Sequence, residues 1–246
     1  MVMALPARSY RWQPASHVSA LLPSASSFRS VLWVRQRTDP RHGVDYCGRM
    51  LKKTSGLFSI EHGAAAYAFD FALYGVAVCA LAACLTWMAP VSTWPVWMAY
   101  AVLGWAVWTL LEYAVHRFIL HGLPPFNRWH SEHHHRPTAL ICAPTVLSVG
   151  LIAGFFFLPL AWGWGVSVAM SLTLGLTLGY LAYAVLHHAT HHWRARGAWL
   201  KRRKLWHAQH HRSTSADPTS KQAYFGVSSG FWDHVFGTAR RLPGRP

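Results

Sequence analysis

Residues 71–111 read FALYGVAVCALAACLTWMAPVSTWPVWMAYAVLGWAVWTLL and contain no Asp, Glu, Lys or Arg. A second stretch without those four residues runs from Pro137 to Trp193. The hydrocarbon core of a bilayer takes about 20 apolar residues per helix. The two stretches, 41 and 57 residues long, therefore hold two spans each, and the chain reads as an integral membrane protein. Expected spans are roughly Tyr67–Ala89, Trp94–Val115, Ala143–Trp162 and Trp164–Leu186. Pro90 and Pro95 break the first stretch into a hairpin, and Gly163 between Trp162 and Trp164 turns the second; indole rings favour the membrane interface.

Composition agrees. Of 246 residues 52% are hydrophobic and 13% charged, and the formal net charge is +15. Tight turns return both hairpins to the side they left. Lys52 and Lys53 precede the first span, Arg117, Arg128 and Arg136 lie between the hairpins, and Arg194, Arg196, Lys201, Arg202, Arg203 and Lys204 follow the last. The opposite side carries no charge. By the positive-inside rule the termini and the middle loop face the cytoplasm. This placement accounts for most of the positive charge, so a nucleic-acid partner is not indicated; anionic lipid head groups are the simpler one. The cysteines (Cys47, Cys79, Cys84, Cys142) lack zinc-ribbon spacing, and a disulfide is not expected on a cytosolic face.

Residues 1–49 differ from the rest, with seven arginines, two acids and many Ser and Pro. They fit a transit peptide, a disordered tail, or an over-long extension with the functional start at Met50. The last is favoured, because Met50-Leu51-Lys52-Lys53 leads directly into the first span. The membrane domain is then 50–246.

Ten of the seventeen histidines fall in four packets just outside the apolar stretches: His116 and His121; His130, His133 and His134; His187 and His191; His207, His210 and His211. Within the last three packets, spacings of three and four stack the rings on one helical face. His116 and His121, five apart, share a face less cleanly, and the second span is expected to end between them near Gly122. Even hairpin parity brings all four packets to one side of the membrane. Neutral imidazole is the commonest side-chain ligand for first-row metals, and ten imidazoles exceed the six positions of one octahedral ion. Two metals sharing one site are expected.

No H-E-x-x-H motif marks a zincin protease. A soluble-type di-iron centre needs about four carboxylates, and only Glu112, Glu132, Asp217 and Asp233 lie near the packets. The ligand set is therefore nitrogen-dominated, and imidazole suits iron, zinc or copper about equally. Glu112, four residues before His116, is placed to accept the second ring N–H of a ligating histidine; Asp233 is a second candidate for that part. His17, His42 and His62 read as bystanders, and His135, His188, His192 and His234 neighbour the packets without fitting their spacing. Tyr180 and Tyr183 read as packing residues. Transporters place polar ligands inside the spans near the midplane, so histidines outside the spans argue against a metal transporter or sensor.

The runs Glu112-Tyr113-x-x-His116-Arg117-Phe118-x-x-His121 and His130-x-x-His133-His134-x-x-Pro137 resemble the fatty acid hydroxylase (sterol desaturase-like) superfamily, and within it the fatty acid 2-hydroxylases. Gly179-Tyr180-x-x-Tyr183-x-x-x-His187-x-x-x-His191-His192, then His207-x-x-His210-His211, continue the likeness. The C-terminal signature is Phe225-Gly226-Val227-Ser228-Ser229-x-x-Trp232-Asp233-x-Val235-Phe236-Gly237-Thr238, so the resemblance covers about residues 65–240. It implies O2-dependent hydroxylation of a lipid C–H bond by two histidine-bound iron ions, with the ten histidines as ligands and zinc able to replace iron in the isolated protein. Ala184 stands where 2-hydroxylases commonly carry an acidic residue. The cytochrome b5-like domain fused to some members is absent from this sequence, so a separate electron-transfer protein is the expected partner, alongside a lipid substrate drawn from the bilayer. Carotenoid or sterol hydroxylation, or desaturation, are the neighbouring alternatives. The expected architecture is all-α: four membrane helices in two hairpins, with a cytosolic helical cap holding the dimetal site.

Overall fold

The computed structural model describes residues 60–215 and 222–239, with side chains to Arg212 in the first segment. The expectations for residues 1–49, a start at Met50, His17, His42, Cys47 and Asp217 lie outside them. The described residues are helical, apart from connections and one isolated β-bridge between Glu61 and Ile141.

Helix α1 (Ala64–Met88) is followed by a 3-10 turn (Val91–Thr93) and α2 (Trp94–Ala114), which runs on as a π-helical turn, Val115–Leu120. A short helix α3 (Phe126–His135) precedes α4 (Thr145–Ile152), which continues through a second π-helical segment, Ala153–Phe157, into α5 (Leu158–Trp164). Then come α6 (Val166–His192), α7 (Ala198–Ser215) and the single-turn α8 (Phe231–Val235). Four continuous helical stretches are long and apolar enough to cross a membrane: Ala64–Met88, Val91–Leu120, Thr145–Trp164 and Val166–His192. The shortest has 20 residues, about 30 Å at 1.5 Å per residue, which matches a bilayer core. These are the four spans expected from the sequence.

Their outer surfaces are apolar. Trp87 and Trp162 are each 92% exposed, a state that suits indoles at the headgroup level. The turn between α5 and α6 falls at Gly165, whose φ of 88° a side-chain-bearing residue rarely adopts. This is two residues beyond the glycine expected from the sequence, because the helix runs through Gly163 to Trp164.

Helix α6 is the central element, packed against both α2 and α1. Small residues make this possible. A Cβ on Gly175 would overlap the Ala101 carbonyl, one on Gly104 the Leu172 carbonyl, and one on Gly179 the Trp108 side chain. With no water to expel between lipid-facing helices, close backbone approach is what holds them together. On the α1 side the Tyr74 and Tyr180 rings pack at 4.5 Å, and the Tyr74 hydroxyl donates to Ser148 Oγ of α4 at 2.7 Å.

Candidate metal centre

The four packets converge. The Nε2 atoms of His116 and His130 lie 2.9 Å apart, His130 and His134 3.0 Å, His134 and His210 3.1 Å, and His210 and His121 3.1 Å. A second group joins His187 to His133 at 3.1 Å, His191 to His207 at 2.8 Å, and His207 to His211 at 3.1 Å. The first group has five imidazoles with donor atoms all within 4.8 Å of one another; in the second, those of His133, His191, His207 and His211 are that close, and His187 joins them through His133. The two groups adjoin where the rings of His134 and His211 stack at 4.2 Å.

Local structure explains the sorting. Residues His116 and His121 lie in and just after the π-helical turn, where i→i+5 bonding brings residues five apart onto one face. Their rings stack at 5.2 Å. The five-residue spacing that looked poor for an α-helix is right for the helix that forms. On α3, His130 and His134 are one turn apart and serve the first group, while His133 points to the second. Helix α7 repeats the division, with His210 in the first group and His207 and His211 in the second.

The donor set suits metal ions. Burial holds the imidazoles of His121 and His211 down to about 4 and that of His133 to about 2, with further lowering from neighbouring histidines at His121 and His133. Burial pushes His130, His134, His207 and His210 well below the usual value in the same way. All seven are neutral near pH 7, the form that binds a metal. His116 Nδ1 donates to the Phe225 carbonyl at 2.5 Å and His210 Nδ1 to the Ala223 carbonyl at 2.9 Å. A carbonyl only accepts, so the ring proton sits on Nδ1 and both Nε2 atoms present lone pairs to the shared space. Lone pairs facing one another about 3 Å apart, away from water, call for a cation between them. At a metal–nitrogen distance of about 2.1 Å, ligands at right angles are about 3.0 Å apart and tetrahedral ligands about 3.4 Å. The closest pairs fall at the right-angled distance, and the donors of His116, His121, His130, His134 and His210 all lie within 4.8 Å of one another. Among the described residues each group is made of histidine alone.

The two candidate carboxylates act one bond further away than the sequence suggested. Glu112 accepts the backbone N–H groups of Val227 and Ser228 at 2.7 and 2.8 Å, and the Ser228 hydroxyl also donates to it. Asp233 accepts the N–H groups of Phe225 and Gly226, both at 2.8 Å, and the Thr238 hydroxyl at 2.7 Å. Neither touches a ring N–H. They clamp the irregular segment 223–229, whose carbonyls hold His116 and His210. A Cβ on Gly226 would run into the Ser229 carbonyl and the Asp233 carboxylate, so the glycine is needed for the clamp to close. Arg203, buried and over the Trp206 ring at 5.2 Å, donates to the Val227 carbonyl at 3.3 Å. Spacing could not reveal these backbone acceptors, because a carbonyl is present at every position.

The remaining histidines stay apart. His135 bonds the Ser131 carbonyl at 2.7 Å, His188 contacts the Tyr67 hydroxyl at 3.3 Å and stacks on His192, and His234 lies against Trp206. Glu132 pairs with Arg136 at 2.6 Å.

Beside the rings of His116, His130, His133 and His187 opens a cavity of about 180 Å³, walled largely by apolar and aromatic side chains such as Phe71, Leu147 and Tyr183. Fold and site together define an integral membrane protein with a histidine-only centre able to hold metal ions beside an apolar cavity. Residues 101–238 match the family model described as Fatty acid hydroxylase, and the chain belongs to that family. It is 32% identical over 156 residues to the fatty acid 2-hydroxylase of Rattus norvegicus, covering 58% of this chain and 40% of the relative. It is 32% identical to the ceramide very long chain fatty acid hydroxylase scs7 of Schizosaccharomyces pombe, covering 57% and 42%. The chain thus spans about two fifths of the length of these two relatives. A solved structure described as full-length scs7p, with only its hydroxylase domain visible, superposes with a TM-score of 0.57 at 30% identity, covering 71% of this chain and 66% of that one.

Proposed function

We propose that this protein is a membrane-bound lipid hydroxylase that uses two iron ions, O2 and an external electron donor to insert oxygen into a C–H bond of a fatty acyl chain. The observation that carries the reading is the pair of five-imidazole groups opening onto an apolar cavity at the ends of membrane helices. His116, His121, His130, His134 and His210 would hold one ion and His133, His187, His191, His207 and His211 the other. Right-angled donor spacing favours an ion of five or six ligands, which suits iron better than tetrahedral zinc. Bound iron would supply O2 activation, with R–H, O2, two electrons and two protons giving R–OH and water.

The chain's own residues do the rest. The cavity wall orients the alkyl chain and keeps bulk water from the reacting carbon. Glu112 and Asp233 hold the segment whose carbonyls keep His116 and His210 in the metal-binding tautomer. The names of the relatives point to an acyl chain carried by a ceramide-type lipid. The two pairs of spans would form hairpins that return to one face, and the basic residues around the cap support a cytosolic orientation. A separate electron-transfer protein would meet the cap there, and anionic lipids would surround it.

Lipid mass spectrometry of cells with and without the gene tests this reading, with His133→Ala as the control. Loss of a hydroxylated acyl species in both the deletion and the variant is the expected result. An unchanged lipid profile under aerobic growth overturns it.

A further inference from the structure

A second opening reaches the imidazoles by another way. It is a cleft of about 610 Å³ lined by His134, His191, His207 and His211. None of these four lines the apolar cavity, which meets His116, His130, His133 and His187 instead. His191 and His211 are partly exposed, so a visitor to the cleft meets candidate ligand rings directly. The two groups adjoin there, since His134 of the first stacks on His211 of the second at 4.2 Å. The cleft is also cationic. Lys201, Lys204, Ala208 and His211 recur at helical spacing on α7, so one face of that helix runs from solvent-exposed Lys201 to an imidazole. The sequence has no Asp or Glu between Glu132 and Asp217. Among the described carboxylates, Glu61 and Glu132 pair with Arg136, Glu112 and Asp233 hold segment 223–229, and Asp70 lines the apolar cavity. None of these five lines the cleft. Lys204 Nζ donates to the Trp193 carbonyl at 2.6 Å, a neutral acceptor that leaves its charge in place.

We propose that this cleft is the docking site of an acidic electron-transfer protein. Carboxylates of the partner meet Lys201 and Lys204, and the edge of its redox group comes against His191 and His211. This rests on reading the centre as an oxygenase, whose reaction takes up two electrons and two protons for each R–OH and water formed. Two encounters with a one-electron carrier supply the electrons, each leaving one carrier oxidised, and the protons come from solvent. Separate openings let both reactants be present together, the lipid in the apolar cavity and the carrier in the cleft. With ligand rings in the cleft wall, no further side chain has to stand between carrier and centre. Leu205, 58% exposed in the same wall, supplies the apolar contact of a small transient interface. Opposite charges steer the encounter and are screened by salt. Anionic head groups would also attract the lysines, but they give no reason for an opening onto the ligand rings.

Binding of a soluble cytochrome b5 domain of negative net charge to the metal-loaded full chain in zwitterionic nanodiscs tests the site. Carbodiimide joins carboxylates to lysines in direct contact, and peptide mass spectrometry maps the joined pairs. Crosslinks at Lys201 and Lys204 are expected, with an affinity that falls steeply as salt is added. Lys201→Glu combined with Lys204→Gln is expected to weaken binding about tenfold at unchanged metal content. Arg128→Glu, an exposed position on α3 that does not line the cleft, should change it little. If the double variant does not fold, Lys201→Glu alone decides. Crosslinks confined to other lysines overturn the proposal, as do unchanged affinity in the lysine variants and equal weakening by Arg128→Glu. Protection of both lysines from acetylation by phosphatidylserine nanodiscs alone would assign them to lipid and overturn it as well. If the carrier docks as expected but no lipid is oxidised, the hydroxylase reading fails and the docking site stands. Lipid oxidation driven by this carrier at an unchanged rate in the lysine variants overturns the docking site and leaves the hydroxylase reading intact.

Discussion

The Asp233 carboxylate accepts the backbone N–H of Phe225 at 2.8 Å, and the Phe225 carbonyl in turn receives the ring N–H of His116. A side chain eight residues away in sequence thereby sets the tautomer of a candidate ligand more than a hundred residues earlier. Asp233→Asn keeps the shape but replaces one acceptor oxygen by an NH2 donor, so of the three bonds that Asp233 accepts at least one is lost and the rest lose the charge. Metal affinity of the His116 group is expected to fall about 10–100-fold, as when other groups that orient metal ligands are removed. The His133 group includes neither His116 nor His210 and should keep its ion. Metal analysis during chelator titration checks this as one ion lost early and one late.

His207 and His210 share α7 but serve different groups. His207→Ala and His210→Ala are each expected to lower the metal content from about two ions per chain to about one, and the double variant to about zero. Elemental analysis of purified protein reads the count. Loss of both ions from either single variant would mean that the groups do not fill independently.

Protons should unfold the metal-free protein from one side only. Burial places His121 and His211 at about 4 and His133 at about 2, below the unfolded value of about 6.5. Below that value the unfolded chain takes up protons that the folded chain refuses, so stability falls with pH. A fully shielded ring contributes at most about 1.4 kcal/mol per pH unit, and the partly exposed His121 and His211 contribute less. Thermal unfolding in detergent should be flat from pH 8 to 7, fall between about 6.5 and 4, and fall more slowly below. A midpoint that rises as pH drops through this window would contradict the burial of these rings.

The seam between α2 and α6 is built on absent side chains. Gly175→Leu places a branched chain where the Ala101 backbone already lies, and overpacking of this kind costs about 1–3 kcal/mol or more. Gly75→Leu on α1, where a Cβ meets nothing, should be close to neutral. Unfolding in mixed micelles separates the two.

Much of this was legible in the sequence. Two charge-free runs, one bounded by Asp70 and Glu112 and the other by Arg136 and Arg194, mark the spans, because lipid excludes charge without regard to tertiary detail. The histidine packets mark the centre, because metal ligands must be side chains of a few types. What the sequence hid was made of backbone. The π-helical turn that turns His121 toward His116 depends on hydrogen-bond phase, not on composition. The carbonyls of Ala223 and Phe225 look like every other carbonyl until segment 223–229 folds against Glu112 and Asp233.

Consecutive residues of α3, His133 and His134, face different groups. A single helix thus carries ligands of both groups on one broad face. Any displacement of that helix would move rings of both groups together.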